Sequence, residues 1–318
     1  MTFLGIDLGG TKVAGALFDE EGTILSRKTV FLEGRAGHDA GKLVTGLIND
    51  LMSETFENAL KVDSIGISVP GISNMTAGTV WAPNIKGWGE YPLLRETREI
   101  AKEIPVLIDS DRACHILGEI WKGNAKGCRD AVFLAVGTGI GAGIIANGEI
   151  LRGSNNIAGA IGWMALDRPY NEKYKSCGCF EYHASGAGMV KVARGLISGG
   201  KKSFAFAGTK DPESLTAHDL FAAFESGDSV AMQVIGQAIE FWGMAVANIV
   251  SLFNPEKIIF GGGVFGPAVK FITAIKNEAV KWAQPVSITK ASIEVSALGD
   301  DAAVYGAGFL ALRNLYRK

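Results

Sequence analysis

The sequence predicts an α/β protein of two domains built on mixed sheets, and three observations carry that prediction. Residues 3–25 (FLGIDLGGTKVAGALFDEEGTIL) and 132–151 (VFLAVGTGIGAGIIANGEIL) follow one plan: apolar strand, glycine-threonine turn, second apolar strand, polar hairpin turn, third short strand. After each copy, helical periodicity alternates with short β-branched runs, the pattern of strands covered by helices. A chain of 318 residues, 47% hydrophobic and 20% charged, is long enough for two cores.

The elements follow in order. Strands are expected at 2–7, 13–18 and 23–30, the last two joined into a hairpin by Asp19-Glu20-Glu21-Gly22. A helix over about 40–60 places Leu43, Leu47, Ile48, Leu51 and Met52 on one face. Strands near 63–69 and 104–108 flank a loop, residues 70–88, rich in Pro, Gly, Asn and Trp, and a helix near 112–121 closes the first half. The second half repeats the three-strand opening and turns helical at 184–197, 216–225 and 229–253. A strand at 257–260 then runs into Gly261-Gly262-Gly263 and a helix near 267–282. A strand at 292–296 precedes a last helix from about 301. The domains expected are 1–120 and 121–300, with the helix at about 301–318 free to pack back on the first.

Composition excludes several classes. A net charge of -2 and a pI near 6.1 supply no basic excess for a nucleic-acid backbone. The opening MTFLGIDLGG has no basic leader and carries Asp7 within its apolar stretch, so neither a signal peptide nor an 18-residue membrane span is expected, and the cytoplasm is the expected compartment. Cys114, Cys128, Cys177 and Cys179 are too few and too unevenly spaced for a disulfide framework, so reduced thiols are expected.

The chemistry is expected at the turns. Asp7 stands directly before Gly9-Gly10-Thr11-Lys12, where a carboxylate can position a hydrated Mg²⁺ while Thr11 and Lys12 donate to phosphate oxygens. One copy alone reads equally as a tight hairpin beside a solvated Asp; the second copy, Gly137-Thr138-Gly139-Ile140-Gly141, moves the reading to phosphate. Two such turns facing each other across a cleft would hold a polyphosphate from both sides. A strand follows each turn, so neither the G-x-G-x-x-G dinucleotide pattern nor the G-x-x-x-x-G-K-[ST] loop applies. Asp111 follows the strand at 104–108, the end of a strand where α/β proteins place ligands. It reads equally as a helix-capping carboxylate, as do Asp109 and Ser110. Gly261-Gly262-Gly263 either lets a nucleoside lie on bare backbone or connects strand to helix, and the triple run favours ligand contact.

The segments LGIDLGGTKVAGAL, IDSDRACHILGE, VGTGIGAG and IIFGGGVF, with the loop APNIKGW, together resemble the ROK family of sugar kinases over nearly the whole chain. That resemblance implies a two-lobed, actin-like (ribonuclease H-like) ATPase fold with mixed sheets and an interdomain cleft. It implies Asp111 as the base that takes the proton of a sugar hydroxyl, usually the one on carbon 6, during attack on the γ-phosphate of ATP. It implies Asp7 near Mg²⁺, holding it through water. Gly9, Gly10, Thr11, Lys12, Gly137, Thr138, Gly139, Gly261, Gly262 and Gly263 would lie around ATP. Gly71, Asn84, Ser110, Asp111, Ala160, Trp163 and Glu181 would lie around the acceptor. It further implies a homodimer, and with no helix-turn-helix ahead of Asp7 it points to the kinase branch and not to the repressors.

The chain departs from the family pattern at the acceptor. Ser110 and Ala113 stand where the family has Asn, Ala160 where it has a sugar-binding Glu, and Trp163 where it has a His that contacts sugar and binds zinc. Of the family's zinc segment only Gly178-Cys179-Phe180-Glu181 remains, and two thiolates with Cys177 fall short of four ligands, so no zinc is expected. His183 reads as an ordinary helix residue in preference to a third ligand. Trp163 either stacks on a sugar face or plugs the vacated zinc region. The expectation is an ATP- and Mg²⁺-dependent kinase acting on a carbohydrate or polyol other than plain glucose. A catalytically idle sugar or nucleotide sensor and a conventional glucokinase are the alternatives.

Overall fold

A computed structural model of the chain describes residues 1–57, 60–206 and 214–316. The ends of two expected helices, at 58–60 and 317–318, lie wholly or partly outside the described residues. The chain divides into two compact units, one of residues 1–127, 150–158 and 297–318, the other of 128–149 and 159–296.

The first unit opens with β1 (Thr2–Leu8), β2 (Lys12–Phe18) and β3 (Ile24–Phe31), joined by antiparallel pairing. Gly22, at φ +78, closes the β2–β3 turn, a conformation glycine adopts without a side-chain penalty. Helix α1 (Gly37–Glu57) is followed by β4 (Val62–Val69), a small hairpin of β5 (Ile72–Asn74) and β6 (Thr79–Trp81), α2 (Leu93–Ala101), β7 (Val106–Ser110) and α3 (Asp111–Lys122). The sheet order is β3-β2-β1-β4-β7, with β1, β4 and β7 parallel. The β1 and β4 strands are buried nearly throughout, as strands covered on both faces must be.

The second unit repeats the plan: β8 (Ala131–Val136), β9 (Ile140–Ala146), β10 (Glu149–Ile150), then α4 (Cys179–Ala184), α5 (Gly186–Ser198), α6 (Ala217–Glu225), α7 (Ser229–Phe253), β11 (Lys257–Gly261), α8 (Ile272–Trp282), α9 (Pro285–Lys290) and β12 (Ser292–Val295). Its sheet order, β10-β9-β8-β11-β12, is that of the first sheet strand for strand. The duplication seen in the turns therefore extends to both whole sheets.

The last helix, α10 (Ala302–Tyr316), packs against β1, β4 and α3. Glycine makes this approach possible: a Cβ on Gly66 would lie 2.0 Å from the carbonyl oxygen of Ala307, and one on Gly306 would lie 1.7 Å from that of Cys114.

Several expectations are corrected here. The domain boundary lies at 127 instead of 120, and residues 150–158 return to the first unit, because Arg152 and Asn156 bond to Asp109 and Ser73 there. The expected loop at 70–88 holds the β5–β6 hairpin, and α2 and α9 were not foreseen. The α2 stripe consists of only Leu93, Leu94, Thr97 and Ala101, set among Arg95, Glu96, Arg98 and Glu99, so its apolar signal is thin. By length and composition alone helix α7, with a window of mean hydropathy 1.3, could cross a membrane, a test that buried core helices also pass. In the fold, 61% of that window is buried, and Val234, Ala238, Trp242, Ala245 and Ile249 form much of the second core.

Candidate active site

In the first unit the carboxyl ends of β1, β4 and β7 carry the expected residues. Asp7, near the end of β1, is half-buried, and its Oδ1 accepts a hydrogen bond from Ser68 Oγ on β4 at 2.8 Å. Burial pushes its pKa above the ordinary carboxylate value and the charge of Asp111 adds to this, while the Ser68 hydrogen bond, His115 and Lys12 oppose it.

The glycine-threonine turn follows. Gly9 N–H donates to the Lys12 carbonyl at 2.9 Å and Leu32 N–H donates to the Thr11 carbonyl at 2.8 Å, which holds the turn closed and leaves Gly10, Thr11 and Lys12 exposed. The amide N–H of Gly9 is thus engaged within the turn, which narrows its expected phosphate role to close backbone approach. Asn84 reaches the same turn, since a Cβ on Gly10 would lie 3.1 Å from its Nδ2. Trp88 anchors this loop from below, donating from Nε1 to the Gly37 carbonyl at 3.0 Å and stacking on Tyr91 at 4.3 Å.

At β7 and α3 the capping question resolves. Ser110 is the N-cap, its Oγ accepting from Ala113 N–H at 3.3 Å, and Asp111 is the first helical residue. Asp111 Oδ1 accepts from Arg112 N–H at 2.8 Å. Its neighbour Asp109 is buried and held by Arg152 Nη2 at 2.5 Å. Gly71, at φ +102, would place a Cβ 2.2 Å from the Trp81 carbonyl, so only glycine fits, and its own carbonyl accepts from Arg112 Nη2 at 3.4 Å.

In the second unit a cavity of about 560 Å³ opens between Gly137 and Thr138, the start of α5, residues 215–218 and the Gly263–Val264 corner. Lys191, Arg194 and His218 bring polar groups to it. The α5 backbone fixes the turn: Gly186 N–H donates to the Gly137 carbonyl at 2.8 Å, and Ser185 caps the helix by accepting from Gly188 N–H at 2.9 Å. Sequence reasoning missed Lys191, Arg194 and His218; their helical positions give no glycine-like signature.

Three of the glycines expected around ATP also meet close packing neighbours. A Cβ on Gly261 would lie 2.3 Å from the Phe133 ring, and one on Gly262, at φ +87, would lie 2.6 Å from the Val136 carbonyl, so both serve packing on β8 while Gly263 lines the cavity. A Cβ on Gly139 would lie 2.8 Å from Glu181 Oε2, and that same oxygen accepts from Ile140 N–H at 2.7 Å. Gly139 makes room for Glu181 beneath the second turn. Burial raises the Glu181 pKa, against the Ile140 hydrogen bond and the charge of Lys191.

Ala160 is partly exposed, just before the short helical turn Ile161–Trp163. Trp163 is 59% exposed, which removes the reading that it plugs a vacated zinc region. His183 is buried, with Nε2 2.9 Å from Tyr174 Oη and its ring stacked on Phe241 at 4.6 Å. Among the described residues no group of three or more His, Cys, Asp or Glu side chains is placed to hold a metal ion.

The ROK family profile matches residues 3–314. The glucokinase of Halalkalibacterium halodurans is 33% identical over 97% of this chain and 94% of its own length. The xylose repressor of Caldicellulosiruptor bescii is 30% identical over 96% of this chain and 76% of its own length. A ROK family glucokinase from Streptomyces griseus, solved in complex with glucose and AMPPNP, superposes with a TM-score of 0.74 at 27% identity, covering 98% of this chain and 100% of that one. The fold is the α/β, actin-like ATPase fold of the ROK hexokinases. With a match that runs from the first strand into the last helix, the chain belongs to the ROK family.

Proposed function

We propose that this chain is an ATP-dependent carbohydrate kinase that transfers the γ-phosphoryl group to a hydroxyl of a sugar or related polyol, with Asp111 as general base. The observation that carries the reading is Asp111 at the carboxyl end of β7, relieved of capping by Ser110 and held in the unit that contains Asp7 and the Gly9-Gly10-Thr11 turn. The glucokinase relatives support the same reaction.

The acceptor oxygen attacks the γ-phosphorus, a new O–P bond forms as the bond to the β–γ bridging oxygen breaks, the hydroxyl proton passes to Asp111, and ADP leaves. Thr11 and Lys12 are assigned to phosphate oxygens, and Thr138, Gly263 and the second-unit cavity to the nucleotide. Asp7 fits a hydrated Mg²⁺: its Oδ1 is bonded to Ser68, and burial of its charge is relieved by a cation. Such an ion, when bound, neutralises phosphate charge. Asn84 and Gly71 in the first unit, and Ala160, Trp163 and Glu181 in the second, are assigned to the acceptor. A cytoplasmic homodimer acting on small molecules goes with this reading.

Release of ADP in the presence of ATP and Mg²⁺ with neutral sugars, amino sugars, sugar acids and cyclitols tests the proposal. Turnover with at least one acceptor, lost in Asp111→Asn, is expected. Stabilisation by nucleotide with no turnover across the panel would instead favour a binding-only sensor. A second reading, a conventional glucokinase, is favoured by the names of the relatives; efficient and selective turnover of glucose would establish it.

A further inference from the structure

Arg112 is an anomaly beside the proposed base. Its side chain is half-buried, and among the described residues it forms no salt bridge and one side-chain hydrogen bond, to the Gly71 carbonyl at 3.4 Å. Arg152 nearby shows the ordinary arrangement, a guanidinium bound to the Asp109 carboxylate. Arg112 also stands in the first turn of α3, where the positive end of the helix disfavours a cation, while Lys122 in the last turn follows the usual preference. Nothing in helix formation asks for arginine at this place.

Its location explains what it faces. Val69 at the end of β4 pairs with Ser110 at the end of β7, so Gly71 and Asp111 continue from two adjacent parallel strands. Arg112 spans these ends, the crevice in which open α/β sheets hold ligands. The other groups that would read neutral hydroxyls are withdrawn: Ser110 Oγ caps α3, and Ala113 is a buried methyl. Acceptor recognition on this side falls to Asn84, Asp111 and the guanidinium.

We propose that Arg112 selects an acceptor bearing an anionic group, a carboxylate or a phosphate, close to the hydroxyl that is phosphorylated. The proposal rests on the kinase reading above and specifies its substrate class. A guanidinium offers a planar fork that matches either anion with paired hydrogen bonds. The Gly71 carbonyl holds one N–H and orients the plane, and the remaining donors meet the anion.

The test uses the full chain with ATP and Mg²⁺ and three acceptor groups: neutral hexoses and polyols, aldonic and uronic acids, and hexose monophosphates. The expected result is a higher kcat/KM in one of the two anionic groups, which also tells carboxylate from phosphate. Arg112→Gln is expected to lower the ratio of anionic to neutral kcat/KM roughly tenfold to a hundredfold, through KM, as loss of a charge-assisted hydrogen bond would. Arg112→Lys is expected to recover part of that ratio. Preference of the wild type for neutral acceptors overturns the proposal, and so does an equal fall in kcat on all three groups, which would put Arg112 on the transferred phosphoryl group. If no acceptor turns over, the kinase reading fails separately. Thermal shift then decides: stabilisation by gluconate or glucose 6-phosphate that Arg112→Gln abolishes supports the anion site, and no shift with either overturns it.

Discussion

Arg152 donates from both Nη2 and Nε to one oxygen of Asp109, Oδ2, at 2.5 and 3.1 Å, while Asp109 Oδ1 accepts from Ser110 N–H at 2.8 Å. Both carboxylate oxygens are fixed, so the backbone entering Ser110 and Asp111 is fixed with them. The pair also ties residues 150–158 to the first unit, with help from Asn156 Nδ2 on the Ser73 carbonyl at 3.3 Å.

Removal of Arg152 would strand a carboxylate whose side chain is 8% exposed. A fully buried broken pair costs about 3–5 kcal/mol. Because Arg152 itself is 37% exposed, Arg152→Ala is expected to cost about 2 kcal/mol, with solvent screening the remainder. Urea denaturation measures it. A change under about 0.5 kcal/mol, the size of an ordinary surface substitution, would mean the pair does not hold this segment.

Asp111 and Ser110 have separable roles. Asp111→Asn is expected to lower kcat by about 10²–10⁴, the usual contribution of a general base, with little change in melting temperature. Ser110→Ala removes the cap on α3 and is expected to cost about 1 kcal/mol in stability. Steady-state kinetics and thermal melts on the same two variants check both halves. A large stability loss in Asp111→Asn would return it to a capping role.

Much of this fold was legible because its signals are periodic. The strands of both sheets show as β-branched apolar runs, and α7 shows as a long apolar helix capped by Asp228 and Asn254. The return of residues 150–158 to the first unit was not legible, because it depends on a pairing between Arg152 and Asp109, 43 positions apart. The packing roles of glycines were hidden for a related reason. Gly261, Gly262 and Gly139 look like Gly263 in sequence, but what each one avoids is a neighbour brought in by tertiary packing: the Phe133 ring, the Val136 backbone and the Glu181 carboxylate.

Trp163 offers a test of acceptor contact against core packing. At 59% exposure it has little stability to lose, so Trp163→Ala is expected to change unfolding free energy by no more than about 0.5 kcal/mol. A core tryptophan would cost about 3–5 kcal/mol. If Trp163 stacks on the acceptor, the same variant raises acceptor KM and leaves nucleotide KM in place. Unchanged acceptor KM would remove it from the acceptor site.

The region of the family's zinc segment is braced by side chains. Tyr174 Oη bonds to His183 Nε2 at 2.9 Å and donates to Asp167 Oδ2 at 3.2 Å, and Lys173 Nζ lies 4.8 Å from the centre of the Tyr182 ring. Burial lowers the His183 pKa below its ordinary 6.5, and the charge of Lys173 lowers it further. The unfolded chain then binds a proton more readily than the folded one, so stability is complete above 6.5 and falls as pH drops from there through the folded pKa. Treatment with a chelator is expected to leave the melting temperature unchanged, and His183→Gln to flatten its decline below pH 6.5. A chelator-sensitive melt with about one zinc per chain by elemental analysis would refute this picture.

Asp7 carries the opposite sign. Its folded pKa lies above its ordinary 3.8, so the fold binds this proton more readily than the unfolded chain does. The stabilisation that follows is full below 3.8 and is lost as pH rises through the folded pKa, and at neutral pH the ionised carboxylate weighs against the fold. Asp7→Asn keeps an oxygen to accept from Ser68 and removes the charge. It is therefore expected to raise the melting temperature at pH 7.5 by about 2–4 °C, the shift that goes with about 1 kcal/mol in a chain of this order of size. If Asp7 holds Mg²⁺ near the phosphates, the same variant loses most of its stabilisation by ATP and Mg²⁺ and most of its turnover. The two measurements together are diagnostic, because a purely structural aspartate would lose stability on substitution. Melts from pH 4 to 8 that run parallel for the two proteins would show that burial of the Asp7 charge carries no such cost.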